Sequence, residues 1–167
     1  TSHNDLPTCI RLSQTAIQAG AAGVMVAPPP MNKPTDDEII NLYRQIDAAL
    51  GAPIVVQDFP PVNGVIMSAA MIAKLTAEIA HARYLKLEDP PLMEKIGAIR
   101  KYGGAVEIFG GLGGMFLLEE LGRGASGTMT GFAFTEILVA VFQAYASGQK
   151  RKAERIFDHY LPLIRFE

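Results

Sequence analysis

Apolar residues along the chain switch between two spacings. Short, nearly continuous apolar runs occur at Gly23-Val24-Met25-Val26-Ala27, Ile54-Val55-Val56 and Val106-Glu107-Ile108-Phe109, with a strand-like stretch at Ser126-Gly127-Thr128-Met129-Thr130. Runs of this length suit parallel strands covered on both faces. Between them the apolar positions fall three and four apart, as in Ile39, Tyr43 and Ile46, in Ile72, Leu75 and Ile79, and in Ile96 and Ile99. That spacing predicts amphipathic helices. A first helix is expected from about Asp5, with Pro7 in its opening turn, through Ile10 and Ile17 to a stop at Gly20. Thr35-Asp36-Asp37-Glu38 matches a capping box, and the helix it opens should stop at Gly51. Further helices are expected near 68–80, 116–121, 132–146 and 150–165.

One strand breaks the apolar rule. In Arg83-Tyr84-Leu85-Lys86-Leu87-Glu88-Asp89 an extended chain puts Leu85 and Leu87 on one face and Tyr84, Lys86 and Glu88 on the other. Strand starts therefore recur near 24, 54, 84, 106 and 125 with a helix between each pair, which is a βα repeat with a parallel sheet. Proline- and glycine-rich loops follow the strands, at residues 28–34 and 57–64 and after Phe109. Such a repeat closes as a (β/α)8 TIM barrel or stays open as a doubly wound sheet. A closed barrel needs roughly 250 residues. Five strands in 167 residues thus mean an open sheet, or a barrel lacking about three βα units at its front. Residues 1–147 read as the catalytic α/β domain and 148–167 as the start of a C-terminal helical extension.

Composition narrows the function classes. Nearly half the residues are apolar, enough for a substantial core, and the net charge is -2 with a pI near 5.9. Nothing favours nucleic acid or an anionic membrane as a partner, and Lys150-Arg151-Lys152 reads as a solvated helix face. A lone Cys9 excludes an internal disulfide and a multi-cysteine metal site, and no apolar run is long enough to span a bilayer, so the expected location is the cytoplasm. No two histidines or carboxylates stand at convincing metal-ligand spacing, and no metal is expected. The cluster Gly110-Gly111-Leu112-Gly113-Gly114 lacks the third glycine and the following acid of a dinucleotide fingerprint. It reads instead as a tight turn, or as a loop whose backbone N–H groups meet a carboxylate or keto oxygen.

Lys86 is the candidate for chemistry. It is either a solvated lysine paired with Glu88, or an amine whose desolvation favours the neutral form that attacks a carbonyl carbon to give a Schiff base.

The order of motifs decides between these. Asn32-Lys33-Pro34-Thr35, Pro53-Ile54-Val55-Val56-Gln57-Asp58-Phe59-Pro60 with Gly64, Tyr84-Leu85-Lys86-Leu87-Glu88, Phe109-Gly110-Gly111, Gly124-Ala125-Ser126-Gly127-Thr128-Met129-Thr130 and Leu161-Pro162-Leu163-Ile164 together resemble the dihydrodipicolinate synthase and N-acetylneuraminate lyase superfamily. The resemblance covers essentially the whole chain and begins just after the family's third strand. It implies a (β/α)8 barrel, a Schiff-base lysine at Lys86, no cofactor beyond the covalent imine with a 2-keto acid, and a homo-oligomer, dimer or tetramer. The family's threonine-containing pyruvate-binding motif lies in the units this chain does not show.

Departures from the family pattern point to a branch. The proton-relaying tyrosine falls on Gln57, the paired tyrosines before Asn-Lys-Pro fall on Pro30 and Met31, and the carboxylate-binding arginine of the true synthase falls on Val62. An amide cannot shuttle protons as a phenol does. Val56-Gln57-Asp58, Lys86-Leu87-Glu88 and Gly127-Thr128-Met129-Thr130-Gly131 look more like the 2-keto-3-deoxy-sugar-acid dehydratases, such as the 2-keto-3-deoxyarabonate enzymes. By that resemblance Lys86 condenses with the keto group, and Glu88, two residues on and so on the same strand face, is expected as the base or relay or, equally, as a structural ion pair. Gln57 orients a hydroxyl or water, and Gly110, Gly111, Met129 and Thr130 contact the keto acid. Asp58, Asp89 and Asn63 read as loop-shaping residues. Three functions stay open: a dehydratase or aldolase of a 2-keto-3-deoxy acid, which is preferred; a dihydrodipicolinate synthase with unusual relays; and a non-catalytic paralogue that binds a keto acid.

Overall fold

The computed structural model describes residues 1–103 and 105–166; Glu167, the last residue of the expected extension, lies outside the described residues. In chain order the elements are α1 (Leu6–Gln18), β1 (Val24–Val26), α2 (Asp36–Leu50), β2 (Ile54–Asp58), α3 (Pro60–Asn63), α4 (Ala69–Glu78), β3 (Tyr84–Leu87), α5 (Leu92–Lys101), β4 (Glu107–Gly110), a 3-10 turn (Leu112–Gly114), α6 (Leu117–Gly122), β5 (Gly127–Thr128), α7 (Thr135–Ala146) and α8 (Lys150–Phe166). The start signals act as the sequence predicts. Asp5 caps α1 by accepting from the Thr8 N–H, and both halves of the Thr35–Glu38 capping box form at the start of α2. Gly51 ends α2 in a left-handed conformation, φ 55°, which costs glycine little.

All five strands are parallel and lie in the order β1-β2-β3-β4-β5. A strictly sequential order, joined by crossovers of one hand, carries the helices to one face of the sheet. The burial pattern agrees. Val24, Val26, Ile54, Val56, Leu85, Leu87 and Ile108 are buried in one core with Ile39, Ile46, Ile72, Leu75, Ile96 and Ile99 of the helices. Strand residues of the other parity, among them Met25, Val55, Gln57, Tyr84 and Lys86, are only partly covered and face the inner side. A doubly wound sheet would reverse its strand order and carry helices on both faces. The arrangement is therefore an arc of a (β/α)8 barrel. A second core joins Leu117 and Leu121 of α6 to Val141 of α7 and Phe157 and Ile164 of α8. Among the described residues no helix is long and apolar enough to cross a membrane.

Three elements differ from expectation. Gln57 and Asp58 continue β2, and the loop that follows contains a one-turn helix, α3, because Pro60 and Pro61 suit an opening helical turn and Gly64 closes it. The fifth strand is only Gly127–Thr128, since Met129 turns away after donating its N–H to the Gly110 carbonyl at 2.8 Å. The seventh helix starts at Thr135 and not at Phe132.

Replacing the cap in Thr35→Ala should cost about 1 kcal/mol in urea unfolding, whereas Ile54→Ala, at a fully buried strand position, should cost about 2–5 kcal/mol. The order of the two midpoints checks the assignment of cap and core.

Candidate active site

β2 and β3 pair with Gln57 opposite Lys86 and Asp58 opposite Leu87, and Lys86 stands in turn opposite Phe109 of β4. Because Leu85 and Leu87 are committed to the helix layer, Lys86 and Glu88 are forced onto the inner face, and Gln57 joins them by the same parity in β2. The side chains meet. Lys86 Nζ lies 3.2 Å from Glu88 Oε1, and Gln57 Nε2 donates to Glu88 Oε2 at 2.8 Å. The lysine and glutamate side chains are only 15% and 8% exposed, so the pair is largely withdrawn from water. The Glu88 backbone N–H is also held, donating to the Asp58 carbonyl at 2.9 Å.

Gly111 completes the cluster from above. A Cβ there would collide with the Glu88 carboxylate, so the side chain of Glu88 occupies the space that any residue but glycine would fill. The next residue, Leu112, is held at φ 26°, a strained conformation for a residue with a side chain. Gly110 is turned the other way. Its Cα rests against the Glu120 carboxyl group on the helix side, and its carbonyl accepts from Met129 N–H and, at 3.2 Å, from the Thr128 hydroxyl. Met129 and Thr130 line an open groove of about 810 Å³ along the inner face, together with Met25, Val55, Tyr84, Lys86 and Phe109. The Thr130 hydroxyl accepts from Phe132 N–H at 3.2 Å.

Thus Lys86, Glu88, Gln57 and Gly111 come together. Met129 and Thr130 reach Lys86 along the groove, and Gly110 offers the inner face its main chain only. No group of three or more histidine, cysteine or acidic side chains that could hold a metal occurs among the described residues.

Asn63 shapes its loop as read, donating to the Pro28 carbonyl at 3.0 Å and accepting from Val65 N–H at 2.9 Å. Asp58 and Asp89 do something different. Asp58 points to the helix layer, fully buried, where Lys95 Nζ of α5 lies 2.5 Å from Oδ2, an ion pair without hydrogen-bond alignment. The same ammonium donates to Asp89 Oδ2 at 2.7 Å. They are ionic partners and not loop-formers, because the parity that buries Ile54 and Val56 also buries Asp58. Burial raises the Asp58 carboxyl to about 6, with Lys95 pulling it down only in part. Glu120 was not anticipated either. It is buried on α6, its Oε2 has no hydrogen-bond partner, and burial raises it to about 7. The sequence signal for both was available: an acid at a position whose periodicity belongs to the core.

These raised values set the pH dependence of stability. A carboxyl raised from 4.5 to about 7 leaves the folded state binding more protons, so its stability is fully present below the unfolded value and is lost as pH rises through about 7. Glu120→Gln should flatten that loss, worth about 3 kcal/mol between acid and neutral pH, and thermal unfolding across pH checks it. Gly111→Ala should displace Glu88 and weaken the Gln57–Glu88 bond while leaving the fold in place, visible by crystallography.

Comparison with known proteins places the chain. A model of the dihydrodipicolinate synthetase family matches residues 1–166. The L-2-keto-3-deoxyarabonate dehydratase of Azospirillum brasilense is 33% identical over 100% of this chain and 55% of its own length. The 4-hydroxy-tetrahydrodipicolinate synthase of Syntrophus aciditrophicus is 26% identical over 98% of this chain and 56% of its own. The crystal structure of dihydrodipicolinate synthase from Rhodopseudomonas palustris is 40% identical with a TM-score of 0.89, covering 99% of this chain and 57% of that one. The chain thus spans about half the length of the curated relatives it matches. With the family model matched almost end to end and the fold shared with a solved member, the chain belongs to the dihydrodipicolinate synthetase family and carries an arc of a (β/α)8 barrel.

Proposed function

We propose that Lys86 forms an imine with a 2-keto acid, and that the substrate is a 2-keto-3-deoxy sugar acid which the protein dehydrates or cleaves. The observation that carries this reading is the contact of one lysine with one carboxylate, largely shielded from water, at the carboxyl ends of parallel barrel strands, the end at which such barrels do their chemistry. The Lys86 amine attacks C2, the carbonyl oxygen leaves as water, and the resulting iminium acidifies the C3 hydrogens. The Glu88 carboxylate takes a C3 proton, and the C4 hydroxyl then leaves as a second water with that proton; hydrolysis of the product imine takes one water back and frees the lysine, so the net loss is one water. Gln57 holds the carboxylate through its 2.8 Å hydrogen bond. Gly111 and the main chain of Gly110 edge the substrate, with Met129 and Thr130 along the groove. No cofactor enters this scheme.

The similarity to the Azospirillum dehydratase supports the substrate class. A second reading, condensation of pyruvate with aspartate semialdehyde, is favoured by the 40% identity to the Rhodopseudomonas synthase. Against it, Gln57 stands where a phenol would relay protons, and Val62, where the synthase's arginine is expected, is 72% exposed and apolar. On the family's pattern the protein assembles as a dimer or tetramer.

Borohydride reduction in the presence of pyruvate or a 2-keto-3-deoxy acid should leave an adduct on Lys86, mapped by mass spectrometry; no adduct with any keto acid overturns the reading. Glu88→Gln should retain the adduct and lose turnover by about 10²–10⁴-fold. Consumption of aspartate semialdehyde with pyruvate would instead establish the synthase.

A further inference from the structure

The two residues that complete the Lys86 site are each followed directly by an aspartate: Gln57 by Asp58 and Glu88 by Asp89. Successive residues point to opposite faces of an extended chain. On the inner face Gln57 and Glu88 are joined side chain to side chain at 2.8 Å. On the outer face both aspartates meet one ammonium, Lys95 Nζ, at 2.5 and 2.7 Å. The lysine side chain is only 10% exposed, and Asp58 is not exposed at all.

We propose that Lys95 is a positioning residue, an ionic clip on the outer face that fixes the ends of β2 and β3 so that the Gln57–Glu88 pair is held at the geometry Lys86 requires. The proposal rests on the Schiff-base reading for its catalytic consequence, but not for its structural one.

Three physical points support it. β3 ends at Leu87, so beyond it Glu88 is tied to β2 by one backbone hydrogen bond, to the Asp58 carbonyl at 2.9 Å. A single such bond is a light hold on the main chain at Glu88, and the clip adds a second hold at the residue after it. Lys95 sits in the first turns of α5, whose own N–H donates to the Pro91 carbonyl at 3.1 Å, so its ammonium is carried by a rigid element. Finally, a buried charge pair is a weak source of stability, because desolvation consumes much of the attraction. A buried Asp58 and a largely covered Lys95, with the partly covered Asp89 beside them, are better explained by the geometry they enforce than by stability.

The test must separate positioning from folding. Lys95→Met alone would leave the buried Asp58 without its cation, a loss that destabilises the fold by itself and so does not report positioning. The decisive variant is the neutral triple replacement, Asp58→Asn with Asp89→Asn and Lys95→Met, which leaves no buried charge uncompensated. Two readouts are taken on the native protein, this variant, Glu88→Gln and Lys95→Arg.

The first readout is the Gln57 side-chain amide in a 15N–1H spectrum, which reports its bond to Glu88 and needs no substrate. The second is enzyme-dependent exchange of the C3 hydrogens of pyruvate for deuterium in D2O, in which the carboxylate removes a proton from the iminium and returns a deuteron, alongside borohydride trapping on Lys86.

The expected result is that the neutral variant folds and still traps pyruvate, while its Gln57 amide signals move to the values seen in Glu88→Gln. Its C3 exchange falls by about ten- to a hundredfold, as a small misplacement of a reacting group does, and Lys95→Arg, which keeps the charge, retains both signals and exchange. Unchanged Gln57 signals in the folded neutral variant would overturn the clip, and so would moved signals with unchanged exchange. If the native protein traps no pyruvate, the Schiff-base reading falls while the Gln57 signals still decide the clip.

Discussion

The whole site depends on the parity of two strands. Leu85 and Leu87 of β3, and Ile54 and Val56 of β2, are buried against the helix layer, and a shift of either strand by one residue would turn its aliphatic pair away from that layer. A slip by one residue would turn Lys86 and Glu88 into the helices and expose both leucines. Hydrophobic burial, worth about 1.5–3 kcal/mol for each such side chain, therefore aims a lysine and a carboxylate at the inner face, where neither has an intrinsic reason to go. The same alternation puts Gln57 on the inner face, where it pairs with Lys86.

Burial then decides the electrostatics. Around the carboxyl ends of β2 to β4 the carboxylates of Glu88, Asp58 and Glu120 are all withdrawn from solvent, with Lys86 and Lys95 as the facing cations. Asp58 is pushed to about 6 and Glu120 to about 7, chiefly by desolvation. The Gly110-Gly111 step passes between two acids, with Glu120 against one Cα and Glu88 against the other. Side chains are excluded at both positions, and this leaves main-chain groups as what the turn offers to a ligand. Clustered acids cost stability, and the two large aliphatic clusters on the helix side and around α7 and α8 offset that cost.

Much of this was legible in the sequence, and for identifiable reasons. Elements governed by local rules were placed closely: the Asp5 and Thr35 caps, the Gly51 stop, and the alternation around Lys86. Gln57 and Asp58 read as loop because Pro60 follows so closely, yet β2 pairs through Asp58 before the prolines open α3. The short β5 was overestimated because Gly127 and the threonines around it carry little apolar signal. Lys95 is not legible because its partners come from β2 and from the turn after β3, and sequence spacing carries no trace of a contact between Asp58 and a lysine on α5. Glu120 is different, since it shares the buried face of α6 with Leu117 and Leu121 and its spacing does carry that signal. The Lys86 assignment itself rests on the order of motifs and the family resemblance; strand pattern alone favours a solvated lysine.

The central claim is that Lys86, Glu88 and Gln57 form one reactive cluster in which the lysine is the nucleophile. A crystal structure of the protein equilibrated with a 2-keto acid tests it most directly. The account predicts continuous density from Lys86 Nζ to C2 of the keto acid, with Glu88 still bonded to Gln57 and its free oxygen facing C3. A keto acid bound elsewhere, or lying beside Lys86 with an intact carbonyl and Glu88 turned away, would contradict it.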